Sequence, residues 1–306
     1  MDINWYPGHM AKAKRLLADQ LSRVDVVVEL CDARLPYSSR NPDLDKLLAG
    51  KKRVLLLNKA DLADPAATSA WLNYFRAQGI DAAPYSASTG KAKDALAVID
   101  RAAKEAVERA AQKGIRKTVK AMVVGVPNVG KSTFTNKLHG GNIAKTGDRP
   151  GVTRANQWVR ITPYLDLLDT PGLLWPRLDD QLAARRLCYI GTVKDDVVDL
   201  PMLTIHLLQD MLKVQPQAVM THFRFDNPEL RGEELLEAVC KGRGFLMKGG
   251  VCDYDRCCAV VLDEFRAGKL GRMTLEMPVK KARLTIPGAK KDDESKPQEE
   301  NSDGEN

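Results

Sequence analysis

Residues 55–61 read LLLNKAD, and residues 125–132 read GVPNVGKS. The second stretch has the spacing of a phosphate-binding loop, G-x-x-x-x-G-K-S, and it follows the apolar run VKAMVV as such a loop must. The first is an apolar run ending in N-K-x-D, a signature that reads a purine base. In a nucleotide-binding domain of ordinary order the phosphate loop comes first and the base reader late. Here the order is reversed, and that reversal decides the fold.

Outward from these two stretches, VDVVVEL near Val24, RVLLL and a short run at Ile80–Pro84 precede the glycine loop. Runs at 157–161 and 165–168 follow it. Helix-length segments separate most of them: Asp43 to Leu48, Pro65 to Gln78, and a long helix with Ala95, Ile99, Ala102, Ala106 and Ala110 on one stripe. Strands alternating with helices predict βαβ units and a six-stranded, mostly parallel sheet. Beyond Trp175 the periodicity of LDDQLAARRLCYI, MLTIHLLQDML, ELLEAVCKG and DRCCAVVLDEFRAG predicts about four helices in a small all-α domain.

The chain has 306 residues, 44% hydrophobic and 28% charged, enough for two domains. The expected division is 1–175, 176–286 and an acidic tail at 287–306, read as disordered from its charge and few apolar residues. From Gly288 onward three Lys face seven Asp or Glu, so the first 287 residues carry +11 of a total +7. A basic folded part fits a polyanionic partner. No run reaches the roughly 20 apolar residues of a membrane span, and MDINWYPGHM lacks a signal-peptide pattern, so the expectation is a cytoplasmic protein without membrane insertion. Six cysteines without a CxxC pair read as reduced thiols.

Each motif carries its own chemistry. Gly125, Pro127, Asn128, Val129 and Gly130 let backbone N–H groups curl around phosphates. Lys131 reaches the β and γ phosphates, Ser132 takes Mg²⁺ and Thr133 opens the helix. Asp169 in DTPG is the acidic residue on the metal side, and the Gly172 N–H can sense a γ-phosphate. Thr153, in PGVT between the two motifs, supplies a second hydroxyl to an ion that wants six oxygens. Asn58, Lys59 and Asp61 read the base: the carboxylate accepts from the guanine ring N–H and amino group together, a pattern adenine cannot match. Ser86, Ala87 and Ser88, at the end of another strand, present a backbone N–H to the base oxygen. Joining the usual domain termini through the helix at 94–113, with a new cut just after DTPG, keeps every strand in place. The sequence therefore predicts a circularly permuted GTP site.

The order NKAD, SAS, GVPNVGKS, PGVT, DTPG, preceded by WYPGHMAKAKR and DARLPYSSRNP and followed by FRAGKLGRMTLEMP, resembles the YlqF-related circularly permuted GTPases of the ribosome biogenesis GTPase A type, over residues 3–286. The resemblance implies a Ras-like P-loop GTPase domain and a C-terminal helical RNA-binding domain. It also implies a role in late maturation of the bacterial large (50S) ribosomal subunit, with the subunit precursor and its rRNA as partners, and GTP and GDP as ligands. Leu173 stands where Ras-type enzymes carry a water-orienting glutamine. The resemblance assigns that work to His9 and gives Asn128 a K⁺ ion to hold. Lys12, Lys14 and Arg15, with Lys241, Arg243, Lys248, Arg266, Lys269 and Arg272, are the expected RNA contacts, at positions suited to phosphates. A GTP-sensing RNA scaffold that hydrolyses nothing, and a GTPase acting on another RNA or a membrane partner, are the alternative readings.

Overall fold

The computed structural model describes residue 15 and residues 17–141, 157–172 and 180–278. Six strands form one sheet: β1 (Val26–Asp32), β2 (Lys52–Asn58), β3 (Asp81–Pro84), β4 (Val119–Val124), β5 (Gln157–Thr162) and β6 (Leu165–Asp169). The spatial order is β3-β2-β1-β4-β6-β5, and every pairing is parallel except β5 with β6. The predicted strands are all present. Parallel strands covered on both faces need continuous apolar sequence, and every residue of β1 is buried. Glu29 and Asp32 are the charged exceptions on β1; Glu29 pairs with Arg40 at 3.2 Å and with Arg53, and Asp45 bridges the same two arginines at 2.8 and 2.6 Å. Two acids against two guanidiniums balance the buried charge.

Helices α1 (Asp43–Leu47), α2 (Pro65–Ala77), α3 (Ala92–Ala111) and α4 (Lys131–His139) flank the sheet. Asp64 caps α2 by accepting from Ala67 N–H, and Pro65 occupies the first turn, where a missing N–H costs nothing. On α3 the fully buried residues are Ala95, Ile99 and Ala103, while Ala102, Ala106 and Ala110 of the expected stripe are half-buried among exposed neighbours. The base-reading strand β2 lies upstream of the phosphate-loop strand β4 yet two places from it in the sheet. Rejoining the chain from β6 to β1 would restore the ordinary order without moving a strand, so this is a permuted α/β GTPase-type sheet.

The second part is all-helical: α5 (Gln181–Tyr189), α6 (Leu200–Val214), α7 (Pro216–Phe223), α8 (Gly232–Arg243) and α9 (Tyr254–Arg266). Among the described residues five α-helices replace the four or so expected. The extra one, α7, is eight residues long and abuts α6 across Gln215, which serves as C-cap of one and N-cap of the other. Among the described residues no helix is long and apolar enough to cross a membrane. The expected boundaries at 175 and 286 fall outside the described residues. What the structure adds is that residues 270–277 leave the helices and lie back on the sheet domain, where Trp71 Nε1 donates to Glu276 O at 2.8 Å and Leu275 N–H to Arg34 O at 2.9 Å.

Candidate functional site

The carboxyl ends of β1, β2, β3, β4 and β6 converge on one edge of the sheet, where ligands bind in open α/β folds. The phosphate loop joins β4 to α4. Lys131 is buried, and its Nζ donates to Gly125 O at 3.1 Å and Val126 O at 2.8 Å, so the loop carbonyls hold the ammonium in the bowl of the loop. Burial pushes this ammonium down to about 8, against the pull of Asp169, which favours the charge. Asp169 is itself pushed up by burial, opposed by Lys131 and by the Ser132 hydroxyl. Ser132 Oγ donates to Asp169 Oδ2 at 3.1 Å, while Asp169 Oδ1 is buried with no hydrogen-bond partner among the described residues. A hydroxyl and a carboxylate meeting beside an orphaned buried oxygen is a donor set that a hard divalent cation satisfies. The predicted Mg²⁺ pair, Ser132 and Asp169, fits. Thr153, the predicted third ligand, lies outside the described residues.

Gly172 ends the described part of DTPG and abuts the phosphate loop: a Cβ there would stand 2.7 Å from Pro127 Cα, Cγ and N. Glycine is what lets the switch and the loop touch. Pro127 and Thr133 occupy their expected places at the loop and in the first turn of α4, and Val129 is fully buried beneath the loop.

The base-reading side is built from three loops. Asn58, at the end of β2, donates through Nδ2 to Val129 O at 2.7 Å and accepts through Oδ1 from Ala87 N–H at 2.9 Å. It therefore braces the phosphate loop to the Ser86-Ala87-Ser88 loop. Gly130 faces it at close range, since a Cβ there would come within 2.5 Å of Asn58 Nδ2. Lys59 takes a left-handed conformation, φ 58°, that turns its side chain over the phosphate loop; Nζ reaches Asn128 O at 2.9 Å and Asp32 Oδ2 at 3.2 Å. Asp32 is buried. Burial alone would raise its carboxyl, but Arg34 and Lys59 hold it well below the usual carboxylate range. Asp61 Oδ1 is buried and has no hydrogen-bond partner among the described residues. An unpaired buried carboxylate oxygen is costly, and a site built to read a donor pair provides one. Ser86 Oγ is taken up locally, by Thr89 N–H at 3.2 Å and by hydroxyls of Ser88 and Thr89 at 3.1 and 2.8 Å. Ala87 N–H is spent on Asn58, so the loop's base-facing donor is to be sought beyond Ala87.

The structure also shows what sequence reasoning missed. Asn128, left-handed at φ 62°, donates through Nδ2 to Gly191 O, just past α5, so the phosphate loop touches the helical domain directly. Arg34, buried, chelates Asp32 with two bonds of 2.9 Å and donates to Phe265 O at 2.7 Å at the end of α9. Glu276, pushed up by burial despite the Ser38 hydroxyl and Arg186, accepts from Tyr37 N–H at 2.8 Å, Ser38 N–H at 3.1 Å and Arg186 at 3.3 Å. The only sequence trace of these contacts is polar residues within otherwise apolar or turn-rich stretches.

Of the expected RNA contacts, Arg15, Lys241, Lys248, Lys269 and Arg272 are exposed, Arg272 with its guanidinium turned onto Asp61 O and Ala60 O. Lys241 pairs with Glu237 at 2.6 Å and Arg243 with Glu264 at 3.0 Å. Arg266 pairs with Asp195 at 2.7 Å and donates to Tyr189 O and Cys188 O, so its guanidinium ties α9 to α5. His9, Lys12 and Lys14 lie outside the described residues.

Over 280 residues the chain is 46% identical to a Bacillus cereus protein named ribosome biogenesis GTPase A, covering 91% of this chain and 95% of that one. The chain belongs to the ribosome biogenesis GTPase A family. It is a GTPase, and it is also similar to two solved YlqF structures. The GDP-bound one is 27% identical with a TM-score of 0.66 and covers 86% of this chain and 99% of that one. The GNP-bound one, from Thermotoga maritima, is 27% identical with a TM-score of 0.64, covering 87% and 98%. The profile of the 50S ribosome-binding GTPase family matches residues 120–221. That match starts in β4 and leaves β1 to β3, with the NKAD loop, upstream of it, as permutation demands.

Proposed function

We propose that the chain is a GTP-dependent assembly factor for late maturation of the bacterial large ribosomal subunit, acting in the cytoplasm and gripping rRNA in a nucleotide-dependent way. The observation that carries this reading is that the helical domain touches both ends of the nucleotide site, through Gly191 O on the phosphate loop and through residues 272–274 on the base-reading loop. A change of nucleotide at the site then has a direct route to the pose of the helices. The excess of basic charge on the first 287 residues suits a polyanion, and exposed Arg15, Lys248 and Lys269 are available to phosphates.

In this reading Asp61 accepts from guanine, Asn58 and Lys59 hold the loops around it, and Lys131 neutralises phosphate charge. Ser132 and Asp169 would hold Mg²⁺, with Thr153 as a further ligand, and the ion would supply positive charge against the phosphates. Gly172 N–H reports the γ-phosphate, and its contact with Pro127 carries that report into the phosphate loop. His9 positions water, since Leu173 cannot. A K⁺ ion at Asn128 would use the amide oxygen while the amide nitrogen stays on Gly191.

The test is phosphate release by purified protein with and without large ribosomal subunits, in K⁺ buffer. Acceleration of at least tenfold by the subunits is expected. No acceleration, or equal acceleration by unrelated structured RNA, overturns the ribosomal reading and leaves the GTPase site intact.

A further inference from the structure

The base-reading loop, residues 59–64, has two sides. On one side Ala60 N–H donates to Tyr85 O at 3.0 Å, which ties the loop to the end of β3. On the other, its partners are the strap that follows α9. Arg272 donates through Nε to Asp61 O at 3.2 Å and through a terminal nitrogen to Ala60 O at 3.4 Å. Met273 N–H donates to Leu62 O at 3.0 Å. Asp64 N–H donates to the Thr274 hydroxyl at 3.1 Å, and that hydroxyl also reaches Ala33 O at 3.3 Å. Gly268 completes the contact: a Cβ there would lie 2.5 Å from Leu62 Cδ2, and its φ of +73° suits glycine. The strap is anchored in turn to the helices, because Gln215 Nε2, between α6 and α7, donates to Arg272 O at 2.8 Å.

We infer that Arg272, Met273 and Thr274 are positioning residues for guanine recognition: the C-terminal end of the helical domain sets the pose of the Asp61 carboxylate, so selectivity for guanine is a property shared by both domains. None of the three touches the base. Their effect runs through the peptide carbonyls on either side of Asp61 and the amide of Asp64. Recognition of two donors by one carboxylate is directional, so a loop freed on its outer side loses affinity for the base while the phosphate loop keeps its grip. Coupling is reciprocal, so a guanine base that orders this loop must also favour the strap's docked pose.

The inference rests on Asp61 being the guanine reader and is independent of the ribosomal role. Fluorescence titration of the full chain with methylanthraniloyl-GDP and methylanthraniloyl-ADP tests it on wild type, Arg272→Ala, Arg272→Lys and Thr274→Val, each with its melting temperature. Wild type is expected to prefer GDP strongly. Arg272→Ala should lose about three- to tenfold in GDP affinity, the scale of one or two hydrogen bonds, with ADP affinity and melting temperature unchanged. Arg272→Lys should recover part of the loss, and Thr274→Val, which keeps the shape and removes the acceptor for Asp64 N–H, should lose guanine affinity in the same selective way. Unchanged GDP affinity in both Arg272→Ala and Thr274→Val overturns the inference. So does an equal loss for GDP and ADP, which would mark a general effect on the fold. A wild type without GDP preference overturns the guanine reader itself and is seen before any variant is measured.

Discussion

Replacing Asp61 by Asn exchanges one carboxylate oxygen for an amide nitrogen and changes little else in volume. The structure sets the size of the effect. Asp61 Oδ1 is buried without a partner among the described residues, so in the complex guanine is its expected donor. Two hydrogen bonds from the ring N–H and the amino group to a charged acceptor contribute about 1.5–3 kcal/mol each. Asn keeps one acceptor, loses the charge and turns an N–H₂ toward the base donors, for a net loss of about 3 kcal/mol, or roughly 150-fold in GDP affinity. Xanthine carries a carbonyl where guanine carries the amino group, so the Asn amide gains an acceptor and XDP binding should tighten by at least about tenfold. Calorimetric titration of wild type and Asp61→Asn with GDP, XDP and ADP reads all of this. Because one oxygen of the half-buried carboxylate, Oδ1, is buried without a partner among the described residues, the nucleotide-free variant should melt no lower than wild type. GDP affinity within threefold of wild type, or XDP binding no tighter than wild type shows, refutes the assignment of Asp61.

Two further outcomes follow from other parts of the molecule. With Lys131 pushed down to about 8 by burial, the free protein loses this charge as pH rises through that value while the unfolded chain keeps it up to its ordinary range. Phosphate binding needs the charged form, so GDP binding takes up a proton near pH 8 and above, and affinity weakens about tenfold per pH unit beyond it. Calorimetry in two buffers of different ionisation heat detects the proton, and a pH-independent affinity between 7 and 9.5 would refute the account. On the stability side, Glu29→Ala leaves Arg40 and Arg53 with one fewer counter-charge in a buried network and should cost about 3–5 kcal/mol by urea unfolding. A cost below about 1 kcal/mol would mean the arginines reach water.

The sheet was legible because the stretches of strand buried on both faces are runs of apolar residues, as VVV of β1 and VLLL of β2 are. The nucleotide site was legible where a motif is contiguous: NKAD and GVPNVGKS each put the needed atoms within a few residues. Legibility ended where partners are far apart in the chain. Arg34 with Phe265 and Tyr37 with Glu276 are separated by 231 and 239 residues, and nothing local announces either pair. Periodicity found four of the five C-terminal helices and passed over α7, whose eight residues give barely two turns after a proline break. The same locality explains the RNA candidates. A basic residue reads alike in sequence whether it is free at the surface, as Lys248 is, or locked to an acid, as Arg266 is to Asp195.

The strap at 270–277 also bears on how the molecule is made. Chains emerge from their N-terminal end and fold as they go, and β2 with its NKAD loop is among the earliest elements to appear. The segment that props that loop from outside is the last described piece to arrive. During translation, then, the protein can assemble its sheet and its phosphate bowl while the base-reading loop still lacks its outer prop, and the full preference for one nucleotide waits for the strap to dock.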